Sequence, residues 1–100
     1  MMRQLQEYNF FKQLSDLDFV EKIILYGSRA RQDHRERSDI DIALVCPRAH
    51  ERDWFTVLDI IEKADTLLKI DCVRFDGLPH DSSLRKSIEA DGIIVYNKEP

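Results

Sequence analysis

Two stretches of sequence decide the fold: Lys22-Ile23-Ile24-Leu25-Tyr26-Gly27-Ser28 and Asp39-Ile40-Asp41-Ile42-Ala43-Leu44-Val45, which are separated by ten residues. The first is an apolar, β-branched run that stops at a glycine, a pattern that predicts a buried strand over residues 22–26. The second alternates polar and apolar residues at its start and ends before Pro47, so it predicts a second strand. A short helix from Ser28 to about His34 is expected between them.

The rest of the chain continues this alternation of helices and strands. Hydrophobic periodicity and capping residues predict the remaining elements. They are helices over residues 3–15 and 51–68, a strand over 70–75, a short helix capped by Asp81 or Ser82, and a terminal strand over 93–96. The order α-β-α-β-α-β-α-β predicts an α/β (α+β) fold in which helices pack on a small mixed β-sheet.

Length and composition limit the classes of protein that fit. A chain of 100 residues is expected to form one domain, residues 1–100. The formal net charge of −4 argues against a protein that coats nucleic acid, and no direct nucleic-acid binding is expected. No secretory signal or membrane span is visible, so we expect a cytoplasmic protein. Cys46 and Cys72 are not spaced as a metal or redox pair, and both are expected to be reduced and buried.

Three aspartates are candidates for a metal site. Side chains alternate along a strand, so Asp39 and Asp41 point to one side while Ile40 and Ile42 point into the core. Asp71 lies in another apolar stretch and joins the pair if the third strand lies beside the second. Three such carboxylates can hold two Mg²⁺ ions for phosphoryl-type displacement. The alternatives are a solvated strand edge for the pair and an ordinary exposed strand residue for Asp71.

The Gly27-Ser28 turn is a candidate phosphate-binding segment. Glycine lets the backbone approach a ligand, and the start of a helix presents free N–H groups. The alternative is an ordinary strand-to-helix turn with Ser28 as a cap. A P-loop is excluded because no second glycine with Lys and Ser or Thr follows, and an EF-hand starting at Asp39 would need glycine where Leu44 stands. A phosphatase of the haloacid dehalogenase type would carry its Asp-x-Asp after an apolar strand, whereas here the strand follows the pair.

Taken together, these motifs resemble the polymerase-β-type nucleotidyltransferases, and most of all the minimal nucleotidyltransferases that act as antitoxins to HEPN-domain toxins. The resemblance rests on Leu25-Tyr26-Gly27-Ser28-Arg29-Ala30-Arg31, on Ser38-Asp39-Ile40-Asp41-Ile42 and on the ending Ile88-Glu89-Ala90-Asp91-Gly92-Ile93-Ile94-Val95-Tyr96. Gln32 departs from it, because the family usually has glycine after the Ala-Arg pair.

The resemblance implies a set of roles. It implies nucleotide contacts by Gly27, Ser28 and Arg29, two Mg²⁺ ions held by Asp39 and Asp41, and Asp71 as the third ligand near the acceptor hydroxyl. It implies ATP as the substrate and, for the antitoxin branch, transfer of AMP to a tyrosine of the HEPN toxin.

Two points stay open at the level of sequence. One is the segment that holds Arg29, Arg31, Arg35 and Arg37, which is either a positive rim that meets triphosphate or an acidic partner, or a solvated surface partly neutralised by Asp33 and Glu36. The other is activity: the alternative to an enzyme is an antitoxin that neutralises its toxin by binding alone. A weaker alternative is an antibiotic-modifying nucleotidyltransferase, which usually needs an added helical domain.

Overall fold

The computed structural model describes residues 4–33, 35 and 37–99, and its centre is a four-stranded mixed sheet. The strands, in chain order β1 to β4, are Lys22–Tyr26, Ile40–Val45, Ile70–Arg74 and Ile93–Asn97. Their spatial order is β3-β2-β1-β4. β1 pairs antiparallel with both β2 and β4, while β2 and β3 are parallel. The mixed sheet confirms the predicted fold class.

The described residues also form four α-helices and two short 3-10 turns, of which the first turn and α1 precede β1. The helices, in chain order α1 to α4, are Asn9–Ser15, Ser28–Arg31, Glu51–Glu62 and Ser83–Asp91, and the 3-10 turns are Leu5–Glu7 and Phe75–Gly77. Ser82 caps α4 by accepting a hydrogen bond from the backbone N–H of Arg85, at 3.0 Å. None of the helices described by the structure is long and apolar enough to cross a membrane.

The two faces of the sheet have different covers. α1 and α3 pack on the face that carries Ile23, Ile42 and Leu44, and this face holds most of the fully buried side chains. The opposite face carries a smaller cluster in which Ile88 of α4 packs against Tyr26 and Ala43. Asp41 and Asp71 belong to this less covered face by strand alternation.

The predicted elements are all present. Three strands differ from prediction by one residue at one end, since β2 begins at Ile40, β3 ends at Arg74 and β4 ends at Asn97, and three helices differ by more. The first helix is divided into a 3-10 turn and α1, with residue 3 outside the described residues. The helix after β1 ends at Arg31 rather than near His34, which is itself not described. The predicted helix 51–68 ends at Glu62, since residues 63–69 form the turn that leads into β3.

Gln32 accounts for the early end of α2, and it is the residue at which the sequence departs from the family pattern. It ends α2 with φ 63° and ψ 26°, the left-handed conformation that usually falls to glycine after a helix. This turn lets the backbone N–H of Asp33 donate to the carbonyl of Ser28 at 3.0 Å. A side chain in this conformation carries a steric cost that glycine does not have.

Replacing Gln32 by glycine is therefore expected to raise the free energy of unfolding by about 1 kcal/mol, because the strain of a left-handed side-chain-bearing residue is removed. Urea denaturation measures the change. Gln32→Val is the matched control, and it is expected to destabilise the protein because a β-branched residue resists positive φ. Equal stability of the two variants would contradict this account.

A partly buried ionic clamp joins the ends of β2 and β3. The guanidinium of Arg74 donates to the carbonyls of Cys46 and Ala49, both at 2.9 Å, and its Nε lies 2.7 Å from the Asp76 carboxylate. Asp76 in turn accepts a hydrogen bond from the backbone N–H of Cys46, at 2.7 Å. The clamp thus fixes the segment that leads from β2 into α3.

Removing Asp76 is expected to cost about 2 kcal/mol, since Asp76→Ala leaves the Cys46 N–H and part of the Arg74 guanidinium without partners in a partly buried setting. Chemical denaturation tests this value. Asp59→Ala is the matched control, because Asp59 pairs with Lys63 on an exposed part of α3 and should contribute little. A loss as small as that of the control would show that the clamp is not stabilising.

Candidate active site

Two of the three predicted carboxylates are brought together by the pairing of β2 with β3. Asp41 lies directly opposite Asp71 in the parallel register, so the two side chains leave the same face of the sheet. On the other side, Asp41 lies opposite Tyr26 of β1. The predicted condition for Asp71, a third strand beside the second, is met.

The carboxyl groups of this pair interact strongly. The pKa of Asp41 is raised, first by burial and then by the negative charge of Asp71, by a hydrogen bond with Asp71 and by the charge of Asp39, while Lys69 opposes the shift. A cation bound beside the two carboxylates would offset the negative charge of Asp71 and Asp39 that adds to this shift. The Lys69 ammonium is 3.8 Å from Asp71, and both side chains are substantially exposed.

The carboxylate of Asp41 packs directly against Gly27. It has φ 74° and ψ −154°, a region of backbone conformation that only glycine adopts readily. A Cβ built on it would collide with Oδ2 of Asp41 and would lie 3.2 Å from Cγ. The predicted close approach at Gly27 is therefore made by a carboxylate of the site itself.

Asp39 is placed differently from the other two acids. It lies just before β2, and its side chain is exposed. Its carboxylate acts on Asp41 by charge, and its backbone carbonyl accepts a hydrogen bond from Nε of Arg29 at 3.2 Å. The structure thus joins Asp41 and Asp71 directly, with Asp39 at the edge of the same site.

The Gly27-Ser28 turn does not form a side-chain cap for α2. Gly27, not Ser28, is the N-cap residue of α2, and it makes no side-chain cap. The Ser28 hydroxyl has no hydrogen-bond partner among the described residues. It is therefore available to a ligand, and the interpretation of Ser28 as a helix cap is wrong.

The arginines of the predicted positive rim do not all face solvent. Arg29 is turned inward to backbone carbonyls, and Arg31 pairs with Asp33 at 3.2 Å. Arg35 and Arg37 are exposed. Glu36, which was expected to neutralise part of this segment, lies outside the described residues, so the phosphate role of the rim stays a prediction.

The donor set at Asp41 and Asp71 suits a hard cation. Both groups offer only oxygen ligands, and a divalent ion would remove the repulsion that raises the pKa of Asp41. Across residues 4–33, 35 and 37–99, no three His, Cys, Asp or Glu side chains converge closely enough to enclose an ion. The two acids have the chemistry that would suit a metal ion, while metal binding and the third ligand from Asp39 stay predictions.

A cavity of about 400 Å³ opens on the opposite face of the sheet. Its walls come from the first 3-10 turn, α2 and β4, and include Leu5, Leu25, Arg29, Ile40 and Val95. None of the three aspartates lines it. The chemistry of the carboxylates therefore belongs to the other face, beside Tyr26.

Comparison with known proteins decides the family. The model of the family described as "Polymerase beta, Nucleotidyltransferase" matches residues 9–100. The chain belongs to the polymerase beta nucleotidyltransferase family. It is also 35% identical, over 86 residues, to the "Putative protein adenylyltransferase" of Methanocaldococcus jannaschii, covering 84% of this chain and 85% of that one. The nucleotidyltransferase predicted from the sequence is thus confirmed at the level of the family, which is one of enzymes.

Solved structures share the fold of this nucleotidyltransferase. A toxin–antitoxin crystallised with AMP-PNP matches with a TM-score of 0.61 and 18% identity, covering 91% of this chain and 73% of that one. A structure described as a nucleotidyltransferase from Sulfolobus solfataricus matches with a TM-score of 0.57 and 21% identity, covering 90% and 76%. A mutant of the toxin–antitoxin MntA–HpeT matches with a TM-score of 0.57 and 17% identity, covering 90% and 69%.

Sequence reasoning missed one member of the site. Tyr26 is 8% exposed and faces the carboxylates, and its pKa is raised to about 12 by burial, then by Asp41, Asp71 and Cys72. Strand alternation carried across the β1–β2 pairing would have placed it there, since it is the last residue before Gly27. Both cysteines are free; Cys46 is buried as expected, whereas Cys72 is only partly buried. Burial is the first cause that raises each thiol pKa to about 12.

Proposed function

We propose that this nucleotidyltransferase transfers AMP from ATP to a hydroxyl group of a protein. The observation that carries the proposal is the Asp41–Asp71 pair packed against Gly27, because two adjacent carboxylates are costly unless they serve a cation, and the pKa of Asp41 is raised. The adenylyltransferase name of the archaeal relative supports the choice of AMP and of a protein acceptor. The AMP-PNP complex among the similar folds supports the choice of ATP.

The roles of the residues follow from their positions. Asp41 and Asp71 would hold divalent metal, with Asp39 completing the set, and the Ser28 hydroxyl would donate to the outer phosphates of ATP. Metal ions supply positive charge that stabilises the charge developing on the phosphate oxygens. Bound divalent metal would also reduce the electrostatic repulsion between the acids and the triphosphate.

The reaction breaks a phosphoanhydride bond of ATP and forms a phosphodiester bond to the acceptor. The acceptor oxygen forms a bond to the α-phosphorus of ATP, the bond from that phosphorus to the β-phosphate oxygen breaks, and pyrophosphate leaves. The acceptor proton passes to a carboxylate, for which Asp71 is suited because its side chain is about half exposed and reachable from solvent.

We further propose that the acceptor is a tyrosine of a HEPN-domain toxin, and that the protein is its antitoxin. Two toxin–antitoxin structures share the fold, which supports this context. The carboxylate face is covered only in part by α4, so a macromolecular acceptor can reach it. Adding AMP near a ribonuclease active site places negative charge where RNA phosphates must bind, which would inhibit the toxin by repulsion.

Intact-mass analysis of the HEPN protein encoded beside this chain tests the proposal, after incubation with the nucleotidyltransferase, ATP and Mg²⁺. We expect a gain of one or more AMP groups on a tyrosine. The Asp39→Ala/Asp41→Ala variant is the control and should give no gain. Full neutralisation of the toxin by this double variant, with no mass gain from the wild type, would establish a binding-only antitoxin instead.

Ser28→Ala is expected to weaken ATP binding by about tenfold while changing stability by less than about 0.5 kcal/mol, because the hydroxyl has no partner within the described structure to lose. Calorimetric titration of ATP with Mg²⁺ measures the affinity. Ser83→Ala, in the exposed first turn of α4, is the matched control. If Ser28→Ala bound ATP as the wild type does, Ser28 would not belong to the nucleotide site.

A further inference from the structure

The side chain of Arg29 connects α2 to the backbone just before β2. From the first turn of α2 its Nη2 donates to the carbonyl of Ser38 at 2.9 Å, and its Nε donates to the carbonyl of Asp39 at 3.2 Å. One guanidinium thus holds two consecutive peptide carbonyls at the entry to β2. The planar fork of arginine is suited to such paired acceptors, whereas lysine is a point donor.

Among the described residues, few other hydrogen bonds hold the segment to which Arg29 is bonded. β2 begins at Ile40, whose N–H donates to the carbonyl of Lys69 at 2.9 Å, so the sheet fixes the chain only from that residue onward. Before it, Ser38 is tied to Arg35 by two bonds, from the Ser38 N–H to the Arg35 carbonyl at 3.0 Å and from the Arg35 N–H to Ser38 Oγ at 2.8 Å. Arg29 connects this small turn to α2 and thereby to Gly27.

The position of Asp39 depends on this connection. Asp39 is exposed, and its Cα lies outside the β2–β3 register that fixes Asp41 against Asp71. Its contribution to the acid cluster is therefore set by the backbone at residues 38 and 39, which is where the guanidinium is bonded. The neighbouring Arg31 points to Asp33 instead and makes no such link among the described residues.

On the basis of the proposed metal-dependent transfer, we propose that Arg29 is a positioning residue that fixes Asp39 relative to the Asp41–Asp71 pair, rather than a ligand of the nucleotide. This changes the role implied by the family resemblance, in which Arg29 was grouped with Gly27 and Ser28. The two roles have different signatures. A positioning residue affects the binding of metal in the absence of nucleotide, whereas a phosphate ligand affects the affinity for ATP when metal is saturating.

The experiment compares Arg29→Gln and Arg29→Lys with the wild type. Mn²⁺ affinity without nucleotide is measured by water-proton relaxation, the KM for ATP at saturating Mg²⁺ by transfer kinetics, and the mobility of the backbone by hydrogen exchange of the amides from residue 38 to 40. Arg48→Gln is the matched control, since Arg48 is exposed and forms a surface ion pair with Glu21 at 3.3 Å.

We expect Arg29→Gln to weaken Mn²⁺ binding by about tenfold, as loss of a residue that orients metal ligands commonly does. Exchange at residues 38–40 should accelerate, the KM for ATP should change by less than about threefold, and Arg48→Gln should resemble the wild type. Arg29→Lys, which can donate to one carbonyl, should fall between the two and provides a folded variant if Arg29→Gln is unstable.

Three results would overturn the inference: unchanged Mn²⁺ affinity, unchanged exchange at residues 38–40, or a loss confined to the KM for ATP. Failure of the proposed function has a different appearance, because the wild type itself would then neither bind Mn²⁺ nor transfer AMP. The hydrogen-exchange comparison needs neither metal nor ATP, so it decides whether Arg29 holds the segment even in that case.

Discussion

Replacing Gly27 by alanine is expected to lower the free energy of unfolding by about 3 kcal/mol and to abolish nucleotidyl transfer. The backbone at Gly27, with φ 74° and ψ −154°, is strained for any residue with a side chain. The added methyl group would also occupy the space of the Asp41 carboxylate, whose Cγ would lie 3.2 Å from it. Asp41 would have to move away from Asp71, so one substitution acts on both the fold and the site.

Gly77→Ala is the control for this prediction. A Cβ at Gly77 would meet only the side chain of Arg74, at 3.9 Å, which is ordinary contact. Its stability should equal or slightly exceed that of the wild type, because alanine restricts the unfolded chain. Urea denaturation and transfer assays on both variants provide the measurement. A Gly27→Ala protein as stable and active as Gly77→Ala would show that the close approach to Asp41 is not required.

Asp41→Asn is expected to reduce transfer on the order of 10³-fold while leaving the protein folded and more heat-stable than the wild type at pH 7 without metal. The amide removes a negative charge from the pair and can donate a hydrogen bond to Asp71, as a protonated Asp41 does. Thermal melts with and without Mg²⁺ measure both effects. Mg²⁺ should raise the melting temperature of the wild type and have little effect on the variant.

The pH dependence of this stability difference has a definite sign. The folded protein raises the pKa of Asp41 above its ordinary value of 3.8, so folding favours the protonated form. The ionised wild type is therefore penalised at neutral pH, and the penalty disappears as the pH falls through the raised pKa and below 3.8. The gain from Asp41→Asn should be full at neutral pH and absent at the acid end. Asp59→Asn is a surface control, and a Mg²⁺-dependent shift that survived Asp41→Asn would contradict the assignment.

The fold and the Asp41–Asp71 pair could be predicted from the sequence, because both depend on hydrophobic periodicity and on the alternation of side chains along a strand. Alternation in Asp39-Ile40-Asp41-Ile42 placed the isoleucines in the core, where both are at most 1% exposed. The strand predicted at 70–75 then had only to lie beside β2 in the sheet for Asp71 to come opposite Asp41. These features follow from local pattern, and they do not need the details of packing.

The parts that sequence reasoning missed depend on side chains that reach across the fold. Nothing in the local sequence marks Asp76, yet it accepts a hydrogen bond from a backbone N–H 30 positions away and pairs with Arg74 in the clamp. Arg29 was expected to face phosphate and instead bonds to carbonyls at residues 38 and 39. No periodicity marks such contacts, because the direction of a long side chain is decided by tertiary packing.

The parallel pairing of β2 with β3 also has a kinetic meaning. β1 and β2 are joined through residues 27–39, whereas β2 reaches β3 only after residues 46–69, which include α3, have crossed the sheet. Closing the longer connection costs more chain entropy, and it also brings two like charges side by side. The carboxylate pair is therefore formed by the β2–β3 pairing, which closes the longer of the two connections. An ion that binds there holds that pairing closed, and it acts on the lifetime of the folded state in addition to the chemistry.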